Sequence, residues 1–331
     1  MSKKPFISYI ISCLLCICFP TVAQACLSCG CGNSGSAADL GTIGSGSSLF
    51  SGGRQWLIQM GGSLRQVTGS FNENGKWNPT PSQSALQSAA LNLGVTYFPT
   101  TNLSLGLSLP VQFNRLDQAS WGSFGSIAPT DVWASGGGLG DLQLQGSYTF
   151  WEARQMGLAA WSSLSLPTGQ VDVDQPANIT GSGVANLAAG VMGVYRSPNH
   201  FQQADLSWQD WLTSRDWEVL LNLGYSQALA SPPLQASPFF LGQSLLYQLQ
   251  GNLVLAPQWV IGLGLNGQLG RWSAGPDRWQ AASRIKLVPS LQYEFDMNQG
   301  VRLAIGADLP VLGANQLTDL AGSLVYYQFF D

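Results

Sequence analysis

The six cysteines of this chain all fall within its first 31 residues. Three of them, Cys26, Cys29 and Cys31, form the run Cys-Leu-Ser-Cys-Gly-Cys. That spacing is open to four chemistries. Two of the thiols can close a disulfide in an oxidising compartment, which leaves one over. Clustered thiolates can hold a soft metal, Cu(I) or Zn(II). With three cysteines and no neighbouring His, a closed tetrahedral zinc site needs a further ligand from a partner. A C-x-x-C pair can also relay disulfides by exchange. Lipidation of Cys26 is the fourth reading, and the preceding Ala-Gln-Ala is a poor lipobox for it. No C-x-x-C-H is present for haem attachment.

A second set of candidates is charged. Arg65, Arg115, Asp141, Glu218, Arg284, Lys286, Glu294, Arg302 and Asp308 are read, by their position in alternating stretches, as lying on polar faces. Opposite charges on one buried face neutralise each other, and a ring of such groups can also act as a selectivity lining. Both readings stay open. Catalysis is not expected. The single histidine, His200, sits beside Asn199 in a long connection, and no nucleophile is marked for it to activate.

The elements that carry these charges have a period of two. In residues 103–113, Leu103, Leu105, Leu107, Leu109, Val111 and Phe113 alternate with small or polar residues. Such a run puts every large apolar side chain on one face of a strand. The pattern recurs at about 54–66, 87–98, 101–115, 139–151, 155–167, 183–196, 216–228, 242–256, 258–270, 283–296, 300–312 and 317–330. Each stretch meets the roughly 9–11 residues that a tilted membrane strand needs. Tight turns at Pro99–Thr100, Glu152–Arg154, Pro257 and Met297–Gln299 alternate with long links rich in Gly, Ser, Pro and Asn. Short periplasmic turns and long outer loops are the habit of outer-membrane barrels. Residues 197–215 break the rule by running long where a short turn belongs. Either they make a periplasmic excursion, or they hide strands and the count is fourteen.

The expected fold is therefore all-β, a transmembrane antiparallel up-and-down barrel of about twelve strands with both termini periplasmic. Only 10% of the 331 residues are charged, too few for a comfortable soluble surface. A soluble β-sandwich alternates in a similar way. Against it, the apolar faces hold almost no charge, and aromatics gather near strand ends at Tyr97, Phe150, Trp151, Trp217, Tyr225, Trp259, Tyr293 and Phe295. Interfacial girdles belong there. The chain closes on Leu-Val-Tyr-Tyr-Gln-Phe-Phe-Asp, an aromatic last strand of the kind read by the barrel assembly machinery, with Asp331 as a small departure. Both faces of that strand carry aromatics, so its parity is ambiguous.

Residues 1–25 have the form of a cleaved secretory signal. Lys3 and Lys4 precede an apolar stretch from Phe6 to Phe19, and Ala23-Gln24-Ala25 is an A-x-A site. Losing the two lysines takes the net charge from −4 to −6, and no basic run offers a footprint for nucleic acid. Residues 26–53 are rich in Gly and Ser and form a candidate plug; residues 54–331 form the barrel.

Two stretches carry a resemblance. Gly138-Leu-Gly-Asp141-Leu142 leads into a strand ending Tyr148-Thr149-Phe150, and Leu164-Ser-Leu-Pro-Thr-Gly169 is followed by Gly181-Ser-Gly183 and a Gly/Ala-rich strand to Tyr195. Pro289-Ser-Leu-Gln-Tyr-Glu-Phe295 fits later strands. In this order they resemble the outer-membrane channels of the meta-pathway phenol-degradation family, relatives of fatty-acid and toluene transporter barrels. The resemblance implies a passive channel in the bacterial outer membrane for small solutes, apolar ones included. It names no particular solute. In fatty-acid-type barrels the N-terminal segment enters the lumen as a hatch, which is the implied role for a plug here. The rival expectation is a barrel scaffold whose cysteine tail binds a soft metal or meets a periplasmic redox partner.

Overall fold

The computed structural model describes residues 55–71, 76–79, 87–117, 133–153, 155–170, 180–197, 217–229, 241–256, 258–273, 279–296, 299–314 and 317–330. Their strands are β1 (Gln55–Phe71), β2 (Trp77–Pro79), β3 (Gln87–Thr100), β4 (Leu103–Asp117), β5 (Trp133–Leu139), β6 (Leu142–Glu152) and β7 (Met156–Leu166). They continue with β8 (Asn186–Arg196), β9 (Trp217–Ala228), β10 (Leu241–Ala256), β11 (Trp259–Ser273), β12 (Trp279–Asp296), β13 (Gln299–Ala314) and β14 (Leu317–Phe330).

Neighbours in the sheet are neighbours in sequence, and β14 closes on β1. The closing ladder runs antiparallel from Trp56↔Phe330 to Ser70↔Leu317. Twelve strands make the ring. The two short ones, β2 and β5, extend it: β2 pairs the end of β1 and β5 pairs the end of β4. Strands β8 and β9 pair directly from Asn186↔Ala228 to Arg196↔Glu218. The long connection between them therefore adds no strand to the wall, and the ring has twelve strands rather than fourteen.

The sidedness is the reverse of a soluble protein's. On β4, Leu105 and Phe113 are 51% and 57% exposed, while Ser108 and Asn114 are 4% and 3% exposed. Leu, Val, Ile and aromatic side chains cover the outside, and Gln, Ser, Thr and Asn fill the inside. Closure leaves no unpaired edge in lipid, so an apolar exterior on a closed ring is the physical signature of a membrane strand wall. The described residues include no helix long and apolar enough to cross a membrane; the crossing is made by strands.

One end of the ring carries the tight turns. Thr100 pairs with Leu103, Ala256 with Trp259 and Asp296 with Gln299, and Ala153 and Met156 exchange backbone bonds. Outward aromatics collect at this end. Trp56 stacks on Tyr97 with ring centroids 4.5 Å apart, Trp259 meets Tyr293 at 4.6 Å, and Tyr195 meets Trp217 at 5.3 Å. Rings with one apolar and one polar side suit the lipid–water boundary.

The expected strand 139–151 is two pieces, and Pro110 is the cause. Strand β4 pairs β5 down to Val111↔Leu139 and pairs β6 from Ser108↔Gln143. Proline has no N–H to continue the ladder; its carbonyl accepts a single bond from the Gly140 N–H at 2.7 Å. Three residues, Gly140 to Leu142, then face two, Leu109 and Pro110. This one-residue bulge shifts the alternation and turns Gly140 and Asp141 inward, as bulges re-aim side chains.

Candidate functional site: the barrel interior

Four groups stand out among the described inward-facing residues, besides the buried cluster of Leu57, Phe98, Val325 and Tyr327. The first lies where the ring closes. Arg65 on β1 approaches the Asp319 carboxylate at 2.7 Å, and Lys286 on β12 approaches its other oxygen at 2.5 Å. The Asp319 backbone N–H donates to Asp308 on β13 at 2.8 Å. Two cations and two carboxylates thus join four strands in a neutral set. The Asp319 side chain is wholly buried, where an unmatched charge would be costly.

The second group is a polar row along β8, β9 and β10. Arg196 donates to Glu218 at 2.9 Å, and Asn252 donates to the other Glu218 oxygen at 3.2 Å. Gln250 donates to Asn252 at 2.8 Å, and Gln248 to Gln250 at 3.4 Å. Here too the ion pair is buried and each carboxylate oxygen has a donor, which is what makes burial tolerable.

The third group unites the two glycine-rich motifs. The bulge points Asp141 at the neck of the link between β7 and β8. Gly169 N–H donates to Oδ1 at 3.0 Å, while the Ser182 N–H and hydroxyl donate to Oδ2 at 2.7 and 2.6 Å. Thr168 donates to the Gly140 carbonyl at 2.9 Å and Thr180 to the Leu139 carbonyl at 2.6 Å. The two arms of the neck touch. A Cβ on Gly169 would sit 2.5 Å from the Gly181 Cα, so only glycine allows the approach. Among the described residues, Gly138–Leu142 meets residues 168–170 and 180–182 as one structural unit, although they are separate in sequence.

The fourth group is apolar. Trp161 on β7 lies against Gly190 on β8 and Gly224 on β9, its register neighbours across the wall. A Cβ at Gly224 would come within 2.5 Å of the indole Cζ2. The indole N–H donates to Asn222 Oδ1 at 2.7 Å. Beside it, Ala159, Val194 and Leu220 form a buried cluster with Met192 packed on it. The interior therefore has an apolar side next to an amide-lined one.

Of the charged residues expected on polar faces, Arg65, Asp141, Glu218, Arg302 and Asp308 are buried, and Lys286 and Glu294 are partly buried. Arg302 donates to Ser290 at 3.2 Å, and Glu294 accepts from Gln292 at 2.9 Å. Arg284 occupies the register position opposite Gln268. Arg115 is a correction. It shares the odd, outward parity of Leu105 and Phe113 and is exposed, paired in register with exposed Gln87. The strand end leaves the apolar band there, so an outward charge is tolerated. Asp319, Arg196 and Trp161 were not anticipated.

Cys26, Cys29 and Cys31, the candidate plug 26–53 and His200 lie outside the described residues. Among the described residues, no group of three or more His, Cys, Asp or Glu is placed to hold a metal.

No family model matches the chain, and no curated protein does. Solved structures do match. The COG4313 outer membrane channel from Pseudomonas putida F1 superposes with a TM-score of 0.62 at 18% identity, over 85% of this chain and 97% of that one. The translocator domain of the autotransporter NalP from Neisseria meningitidis gives 0.46 at 10% identity, covering 88% and 94%. The Ralstonia pickettii toluene transporter TbuX gives 0.37 at 10% identity, covering 86% and 91%. The first likeness is one of fold. This chain folds as a bacterial outer-membrane β-barrel.

Proposed function

We propose that this barrel sits in the bacterial outer membrane as a channel for small molecules, apolar ones included. In this reading residues 1–25 are a cleaved export signal, the tight-turn end and both termini face the periplasm, and the aromatic last strand is read by the assembly machinery. The observation that carries the proposal is the two-sided interior of a closed ring. Trp161 and Met192, partly exposed over the buried Val194 and Leu220, offer apolar surface beside the partly exposed amides of Asn222 and Asn252. A solute with an apolar body and a polar end finds both kinds of partner there. The Asp319 and Glu218 carboxylates are matched by cations within the wall, which suits guidance of uncharged solutes better than ion selection.

The test is solute entry into liposomes carrying the purified barrel. Small uncharged solutes are expected to enter faster than into empty liposomes, and replacing Trp161 by Ala is expected to change the rate for apolar solutes most. Equal entry with and without the barrel would overturn the proposal.

A further inference from the structure

We propose that the charge cluster of Asp319 with Arg65, Lys286 and Asp308 is the register lock of the seam at which β14 closes on β1. A barrel must choose one register when its last strand meets its first. Elsewhere in this wall the alternation makes that choice, because a one-residue slip would turn an apolar face inward. On β14 it does so weakly. Val325, Tyr327 and Phe329 face in, while Leu324, Tyr326 and Phe330 face out, so a slip exchanges one aromatic row for another.

The other half of the seam is different. Asp319 pairs in register with Val67, and Arg65 reaches it diagonally at 2.7 Å. A slip by one residue turns the Asp319 carboxylate to the lipid side. A slip by two that sets Asp319 opposite Gly69 keeps it inside but carries it about 6.6 Å further along β1, out of reach of Arg65, while Lys286 stays beside it. The opposite slip, which sets Asp319 level with Arg65, is left to the β-bulge between Val67 and Gly69 to oppose. That bulge stands at the same height and marks one position on β1. Lys286 and Asp308 come from β12 and β13, on the side of β14 away from the seam. They fix where Asp319 must lie, and Arg65 is the group that reads it.

The test reads register directly, by cysteine pairs on the outward face in full-length chains whose six native cysteines (three of them in the signal region) are replaced by Ser or Ala. Gly62→Cys with Leu324→Cys reports the native register, since these residues are opposite. Leu324→Cys combined with Met60→Cys or with Leu64→Cys reports slips of two in either direction. With the cluster intact, only the native pair is expected to cross-link. In Asp319→Ala barrels, native cross-linking is expected to be lost in part and the pair of Leu64→Cys with Leu324→Cys to form, since that slip sets residue 319 opposite Gly69 and away from Arg65. If Asp319→Ala gives no folded barrel, Asp319→Asn with Lys286→Met is read instead, in which Arg65 and Asp308 still balance. Native cross-linking alone, at the yield of the intact cluster, in whichever of the two variants is read, would overturn the lock.

Discussion

Trp161 donates its indole N–H to Asn222 at 2.7 Å, although the two residues stand two strands apart. The bond spans β8 only because Gly190 leaves no side chain in between. The ring is held flat against the wall instead of projecting into the interior.

A side chain at Gly224 should therefore lift the indole. Gly224→Val is expected to destabilise the barrel by about 1–3 kcal/mol, the usual cost of overpacking, and to alter tryptophan emission and solute entry. Asn222→Leu removes the acceptor without crowding. It should move the emission with a smaller change in the midpoint of heat-modifiable migration. Unchanged emission in both variants would count against this packing.

Asp141 is expected to be the most sensitive side chain at the loop neck. Asp141→Ala strips acceptors from Gly169 and Ser182, and each buried donor left unmet costs about 1–3 kcal/mol. Limited proteolysis in the link between β7 and β8 should become fast. Asp141→Asn keeps one carbonyl oxygen and should be milder. Equal resistance in all three proteins would argue against the clamp.

On the lipid side, Leu105→Arg should cost about 2–4 kcal/mol if the site lies near the bilayer midplane. Leu105→Ala should cost less. Unfolding in detergent or lipid, followed by gel migration, measures both. A wild-type midpoint for the arginine variant would remove Leu105 from the lipid-facing surface.

The Arg196–Glu218 pair calls for a double-mutant cycle. Glu218→Gln alone leaves a buried guanidinium without its carboxylate, expected to cost about 3–5 kcal/mol. Adding Arg196→Met should recover much of that loss. Additive losses would mean that the two side chains are not coupled.

The cysteine tail is best examined in the full-length exported protein. If its thiolates hold Cu(I) or Zn(II), metal content should fall when Cys26, Cys29 and Cys31 are changed to Ser. Equal content would leave the disulfide, which non-reducing mass analysis detects.

How far the sequence went depends on the range of each signal. Period-two alternation is local, and it located all twelve wall strands within a few residues. It misplaces Arg115, whose odd number puts it on the outward face with Leu105 and Phe113, at a strand end where an apolar residue gives way to a charged one. It missed the break at Gly140–Asp141 because the cause, Pro110, lies on the neighbouring strand. Asp319 escaped notice because β14 has aromatics on both faces, so parity alone did not orient it. The two glycine-rich motifs were visible, but their union around one carboxylate depends on a contact across 28 and 41 residues. Trp161 was passed over because the glycines beneath it stand 29 and 63 residues further along the chain.

The facing of Trp56 and Phe330 has a consequence for how the ring could be rewired. The two ends of the wall are already adjacent, so a short linker could join them and the chain could start elsewhere. A circular permutant opened in the link between β9 and β10 would keep every wall strand. Its newest junction, however, would be crossed by the Asn252–Glu218 bond, while the seam of Asp319 and Arg65 became an ordinary hairpin. Comparing the assembly rates of the two forms would separate what the seam owes to its chemistry from what it owes to being last.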